Sequence, residues 1–140
     1  MVFGRRQRVI RRILIVEDEP LVAFDNEHFL RDAGYDIVAT VDTVAAAVKA
    51  IARGADLVLA DVNLSDGGNG RDVASKALEH DVPLIFVTAA CPADAQTLAV
   101  GCLAKPYSQR DLLAAIDAVE AKLCGRKPKR MPRSFTLFGY

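Results

Sequence analysis

The chain has 140 residues, 51% hydrophobic and 26% charged, with 18 basic and 18 acidic side chains and no formal net charge. That length accommodates one well-formed core with terminal extensions, and the composition is that of an ordinary globular domain. No apolar stretch approaches the roughly 18–20 residues that span a bilayer, and Met1-Val2-Phe3-Gly4-Arg5-Arg6 lacks the apolar segment of a secretory signal, so a cytoplasmic location is expected.

Strand-like runs alternate with helical patterns along the chain. Residues 12–17 form the first predicted strand, built on Ile13-Leu14-Ile15-Val16 and ending in Glu17-Asp18. Pro20 is placed to open a helix that carries Val22, Phe29, Leu30 and Ala33 toward a core and stops at Gly34. A second strand is predicted over 36–40, and an alanine-rich helix over 44–53 is closed by Gly54. The third strand, 56–60, leads directly into Asp61. Ser65-Asp66-Gly67-Gly68-Asn69-Gly70 reads as a flexible loop before a helix over 71–79. The fourth strand, 83–87, leads into Thr88, and a short, poorly defined helix follows Pro92. A weak fifth strand over 100–104 runs into Lys105-Pro106. In the last helix Leu112, Ile116, Val119 and Leu123 form one apolar stripe, with Ser108 as N-cap and Gly125 as terminator.

Five such β-α units with short connections specify an α/β fold, a doubly wound parallel sheet with helices on both faces. In such a sheet the residues just past the strand ends share the ligand-binding edge. Glu17, Asp18 and Asp61 then meet there and repel one another unless a hard divalent cation, Mg²⁺ above all, takes their oxygens. Thr88 and Lys105 add a hydroxyl and a cation. Each residue alone has an ordinary structural explanation, such as a cap, an exposed acidic turn or a solvated lysine. The ordered set at the ends of four strands suggests a site for placing a phosphoryl group on a carboxylate.

In order and spacing, Glu17-Asp18, Asp61, Thr88 and Lys105-Pro106 resemble the receiver domains of response regulators, the phosphoacceptor half of two-component signalling. The resemblance covers about residues 12–124, leaving a basic extension (1–11) and a basic, then aromatic, tail (125–140). It implies a flavodoxin-like five-stranded sheet of order 2-1-3-4-5. It makes Asp61 the acceptor of a phosphoryl group from a phosphohistidine, with Mg²⁺ held by Glu17, Asp18, Asp61 and the backbone carbonyl of Asn63. Lys105 would pair with the acceptor and then the phosphate, Thr88 would report phosphorylation, and Lys105-Pro106 would be a cis peptide. His28 and His80 have no ligand-spaced partners and are assigned no role.

Three departures from the family stand out. Cys102 occupies the position, three residues before the lysine, where the family usually places a switch Tyr or Phe. The loop after the acceptor lacks the frequent proline. Only 17 positions separate Thr88 from Lys105, so the fourth helix is short or frayed. The run through Cys102 and Lys105-Pro106-Tyr107 looks like a subgroup of stand-alone receivers without the aromatic, and Tyr107 is expected to pack on the last helix.

Cys91, Cys102 and Cys124 are odd in number and widely spaced, and are expected as reduced thiols. The neutral total hides a core (13–124) of net −10 flanked by ends that carry +10. Basic arms of this kind suit nucleic acid, membrane or an acidic protein surface, but they are read first as solvated flanks around a loose tail. The expected function is that of a single-domain response regulator. It would be served by a sensor histidine kinase or histidine phosphotransfer protein and would act on a protein target or as a phosphate sink. It would be no turnover enzyme, would have no DNA-binding domain or membrane span, and would be a monomer or weak homodimer. The alternatives are a receiver-fold binding module indifferent to phosphorylation, an aspartyl phosphohydrolase of the haloacid dehalogenase type, for which Asn63 stands where a second acid belongs, and nucleic-acid binding through the arms.

Overall fold

The computed structural model describes residues 8–64 and 67–139; Ser65 and Asp66 of the predicted loop and residues 1–7 of the basic extension lie outside them. The strands are β1 (Arg12–Val16), β2 (Asp36–Val41), β3 (Leu57–Ala60), β4 (Leu84–Thr88), β5 (Gly101–Ala104) and β6 (Phe135–Leu137). The helices are α1 (Pro20–Asp32), α2 (Val44–Arg53), α3 (Gly70–Glu79) and α4 (Gln109–Leu123), and Ala95–Thr97 is one 3₁₀ turn. The sheet order is β2-β1-β3-β4-β5-β6, with every pairing parallel except β5 to β6. The expected 2-1-3-4-5 order is therefore present, extended by one antiparallel strand.

The central strands are apolar on both faces because each face packs a helical layer. Successive side chains alternate across the sheet. Ile13, Ile15, Leu57, Leu59, Ile85, Val87 and Leu103 join Leu30 of α1 and Leu112, Ile116 and Val119 of α4 in one core. Leu14, Val16, Val58, Ala60, Leu84, Phe86 and Cys102 join Ala47, Ile51, Val73 and Ala77 of α2 and α3 in the other. Leu123, read as the end of the α4 stripe, is instead exposed. Ser108 caps α4, its hydroxyl accepting from the Asp111 N–H at 3.0 Å. Thr43 and Asn69 cap α2 and α3 in the same way.

The C-terminal tail is not loose, as its composition suggested. Residues 135–137 pair with 101–103 of β5, and Phe135 and Leu137 are buried in the α1/α4 core. Asp111 anchors the approach, accepting from Arg130 at 2.8 Å and Ser134 at 3.0 Å. Lys122 donates to the Phe138 carbonyl. The N-terminal residues 8–10 are docked too. The Val9 and Ile10 N–H groups both donate to the Glu120 carboxylate at 2.9 Å, and the Arg8 guanidinium lies 4.4 Å from the centre of the Tyr35 ring.

The expectation of three reduced thiols is corrected for two of them. Cys91 and Cys102 form a disulfide with their Cα atoms 6.3 Å apart, while Cys124 is free and exposed. Spacing alone does not reveal the pair, because the chain after β4 must double back to bring Cys91 over β5. Among the described residues no helix is long and apolar enough to cross a membrane.

Candidate functional site

The parallel strands β1, β3, β4 and β5 all end at one edge of the sheet, and backbone bonds fix the first residue beyond β1, β3 and β5. The Glu17 N–H donates to Val41 O at 2.9 Å, the Asp61 N–H to Val16 O at 2.9 Å, and the Lys105 N–H to Thr88 O at 2.9 Å. Side chains that leave the sheet at these points converge. The Lys105 Nζ lies 2.9 Å from Asp61 Oδ2, 3.1 Å from Glu17 Oε1 and 3.4 Å from Glu19 Oε1. Lys105-Pro106 is a cis peptide, as the resemblance implies.

Glu17, Asp61 and Thr88 are all buried. The other Asp61 oxygen, Oδ1, accepts the Asn63 N–H at 3.2 Å. Thr88 turns its hydroxyl onto its own loop, donating to Ala90 O at 3.3 Å and accepting the Ala90 N–H at 3.4 Å. Asp18, Glu19, Asp61, Asn63, Thr88, Ala89, Ala90 and Lys105 line one cleft of about 360 Å³, ample for a phosphoryl group and an ion. Every residue read from the sequence as part of the site except Glu17 lines this cleft, and Glu17 is buried beside it, paired with Lys105.

Burial pushes the Glu17 carboxyl up to about 7, against a backbone bond from Glu19 and the neighbouring Lys105 that pull it down. Burial also works against the Lys105 ammonium, but its bonds to Asp61 and Glu17 outweigh that and raise its pKa above the ordinary value. The ammonium is thus held charged among the acids.

Glu17, Glu19 and Asp61 bring one carboxylate oxygen each within 4.8 Å of one another. An all-oxygen, anionic set of this kind fits a hard divalent cation such as Mg²⁺. Glu19 is the member the sequence reading missed, and its only signal is its place two residues after Glu17. Asp18 lines the cleft without joining that tight group. A second missed element is Gly70, whose N–H donates to Val62 O at 2.6 Å and whose Cα faces the Asp61 carbonyl so closely that a Cβ would meet backbone. Tyr107 does not simply pack on α4: its hydroxyl accepts from Asn26 Nδ2 of α1 at 2.8 Å. The His28 and His80 rings each bond a carbonyl of their own helix at i−4, and His28 also lies against the Phe24 ring.

The family described as response regulator receiver domain matches residues 13–117. The phyllosphere-induced regulator PhyR of Methylorubrum extorquens is 40% identical over 80 residues, covering 55% of this chain and 30% of that protein. The transcriptional regulatory protein PdtaR of Mycobacterium tuberculosis is 36% identical over 116 residues, covering 78% of this chain and 56% of that one. The chain thus spans between about a third and just over half of these curated relatives. The solution structure of SdrG from Sphingomonas melonis superposes with a TM-score of 0.69 at 33% identity, covering 81% of this chain and 98% of that one. With the matched family spanning all four strand ends that build the cleft, the chain belongs to the response regulator receiver domain family.

Proposed function

We propose that this protein is a phosphoacceptor of a two-component relay, taking a phosphoryl group on Asp61 from the phosphohistidine of a kinase or phosphotransfer protein. The observation that carries this reading is the Asp61 carboxylate. It is buried at a strand end, gripped by Lys105 at 2.9 Å and the Asn63 N–H at 3.2 Å, and open to a cleft of phosphoryl size.

In the transfer an Asp61 oxygen forms a bond to phosphorus as the P–N bond to the donor imidazole breaks, and the imidazole leaves with the electron pair. Little more is asked of the protein than alignment and charge neutralisation. Lys105 supplies a fixed positive charge beside the incoming oxygens. Thr88 rotates away from Ala90 to donate to one of them. Glu17, Glu19, Asp18, Asp61 and the Asn63 carbonyl are the groups that would hold Mg²⁺, which when bound neutralises acceptor and phosphoryl charge together.

The donor would approach over the neighbouring groove of about 510 Å³ between α1 and the β5–α4 connection, lined by Val22, Asn26, Pro106 and Tyr107 among others. Exposed Leu21 and Phe24 stand on the same helix. Output would be protein–protein, through a target or by draining the kinase. A module indifferent to phosphorylation is favoured by Cys102 in the switch position and by the fourth helix being reduced to the turn Ala95–Thr97, but the complete acceptor cluster speaks against it. Acetyl phosphate with Mg²⁺ should label the protein, and Asp61→Asn should abolish the label. Equal labelling of both would overturn the assignment.

A further inference from the structure

The two bonded cysteines flank the cleft symmetrically in the chain. Cys91 lies three residues after Thr88, and Cys102 three residues before Lys105. Strands β4 and β5 run parallel with Thr88 opposite Ala104 and Phe86 opposite Cys102. The chain therefore leaves β4 at the cleft, passes through Ala89 and Ala90, and is turned back by the disulfide onto a residue inside β5. Ala89 and Ala90 line the cleft. They are held at one end by Thr88 in the sheet and at the other by a covalent bond.

The stretch that lines the cleft is lightly held apart from this bond: residues 89–94 are exposed except for half-buried Pro92, and the next anchor along the chain is Ala95, buried in the α2/α3 core. Its tie to α3, Arg71 to Asp94 at 2.9 Å, joins two half-exposed side chains and is of the kind that contributes little. Beyond Asp94 the loop forms one 3₁₀ turn, Ala95–Thr97. The Thr88 hydroxyl meanwhile donates to Ala90 O and accepts the Ala90 N–H. To reach a phosphoryl oxygen it must release Ala90, whose backbone groups then need other partners, and a loop free to move supplies them more readily.

We infer that Cys91–Cys102 is a reversible redox latch on the loop that lines the phosphoacceptor cleft: closed, it slows phosphoryl acceptance, and reduced, it frees the loop and speeds it. The inference rests on the phosphoacceptor reading of Asp61. Access favours attack at one sulfur, since Cys91 is exposed while Cys102 is 1% exposed. A thiolate of a dithiol reductant attacks Cys91 Sγ, and the S–S bond breaks with its electron pair on Cys102 Sγ, which takes up a proton. The second thiol of the dithiol then closes on the first, releasing Cys91 as a thiol. Two electrons and two protons pass from dithiol to protein, and the dithiol leaves as a cyclic disulfide. Oxidation by a small-molecule disulfide runs the same exchange backwards. The freed Cys102 remains a small apolar group in the α2/α3 core.

The full chain is prepared with dithiothreitol or with oxidised glutathione. Free thiols are counted, amide exchange of Ala89 and Ala90 is followed, and the initial rate of labelling by acetyl phosphate with Mg²⁺ is measured. Expected are one free thiol (Cys124) in the oxidised form and three in the reduced form, faster exchange at Ala89–Ala90 on reduction, and labelling faster by roughly fivefold or more. Cys91→Ser, at an exposed position, should label like the reduced wild type in both reagents. Three free thiols after oxidised glutathione, or one labelling rate whatever the thiol count, would overturn the latch. Absence of label in both states, with thiol count and exchange still responding, would instead remove the phosphoacceptor reading and the latch's control of it together.

Discussion

Gly70 and Asp61 are pressed together backbone to backbone. A Cβ on Gly70 would contact the Asp61 carbonyl and lie 2.8 Å from Val62 Cα, and the Gly70 N–H is already committed to Val62 O. The start of α3 therefore butts against the chain segment that presents the acceptor, and only glycine permits that approach. Gly70→Ala should shift the Asp61–Val62 backbone and cost about 1–3 kcal/mol. Urea unfolding would measure that loss, and acetyl phosphate labelling should fall with it. Unchanged stability and labelling would show that the contact is slack.

Lys105 is shared by three carboxylates and occupies the space between their oxygens. Replacing it with Met leaves Glu17 and Asp61 buried together without a counter-charge. Because Lys105 and Glu19 are partly exposed, the loss should sit near the lower end of the ~3–5 kcal/mol that breaking a buried pair costs. The cluster then becomes a stronger cation site, since Mg²⁺ no longer competes with an ammonium. Mg²⁺ should raise the melting temperature of Lys105→Met more than that of wild type; equal increments would show that the ion does not enter this cluster.

Glu17 sets a pH dependence whose sign is determined by its raised pKa. Burial holds it at about 7 in the folded protein, above the ordinary 4.5, so the folded state binds that proton more tightly than the unfolded chain does. The resulting stabilisation of the metal-free protein is complete below about pH 4.5 and fades as pH rises to about 7. A divalent cation has to displace the same proton, so stabilisation by Mg²⁺ should grow as pH rises through that value. Glu17→Gln removes the titrating group and should flatten the metal-free profile in this window, as read from urea midpoints across the range. A profile identical to wild type would assign the slope to other groups.

Much of the fold and most of the site were legible in the sequence, for a common physical reason. A strand buried on both faces has to be an unbroken apolar run, so Ile13–Val16 and Leu57–Ala60 announce themselves, and the first polar residue after each run stands at the ligand-binding edge. That logic located Glu17, Asp61, Thr88 and Lys105. It does not reach features that depend on a remote partner. Glu19 joins the carboxylates because of how the chain turns before α1. The Cys91–Cys102 bond depends on the loop after β4 doubling back. The strand Phe135–Leu137 is three residues long and comes after a proline-rich basic stretch, so no local pattern marks it; only the open edge of β5 explains it.

That last strand yields the sharpest test of packing. The Phe135 ring lies over Gly101, where a Cβ would come 2.5 Å from Cζ and 2.6 Å from Cε1. Phe135 is itself 4% exposed. The tail thus seals the β5 edge, which would otherwise present unpaired backbone groups, and the absence of a side chain at 101 is what admits the ring. Phe135→Ala should cost about 3–5 kcal/mol by opening a cavity, and Gly101→Ala about 1–3 kcal/mol by crowding the ring. The two sites are in contact, so their effects should not add. In a Phe135→Leu background the cost of Gly101→Ala should drop by about 0.5 kcal/mol or more, the remainder arising from the Thr136 carbonyl, 2.8 Å from the same Cβ position. Strictly additive costs in a double-mutant cycle would mean that the tail does not lie on β5 in solution.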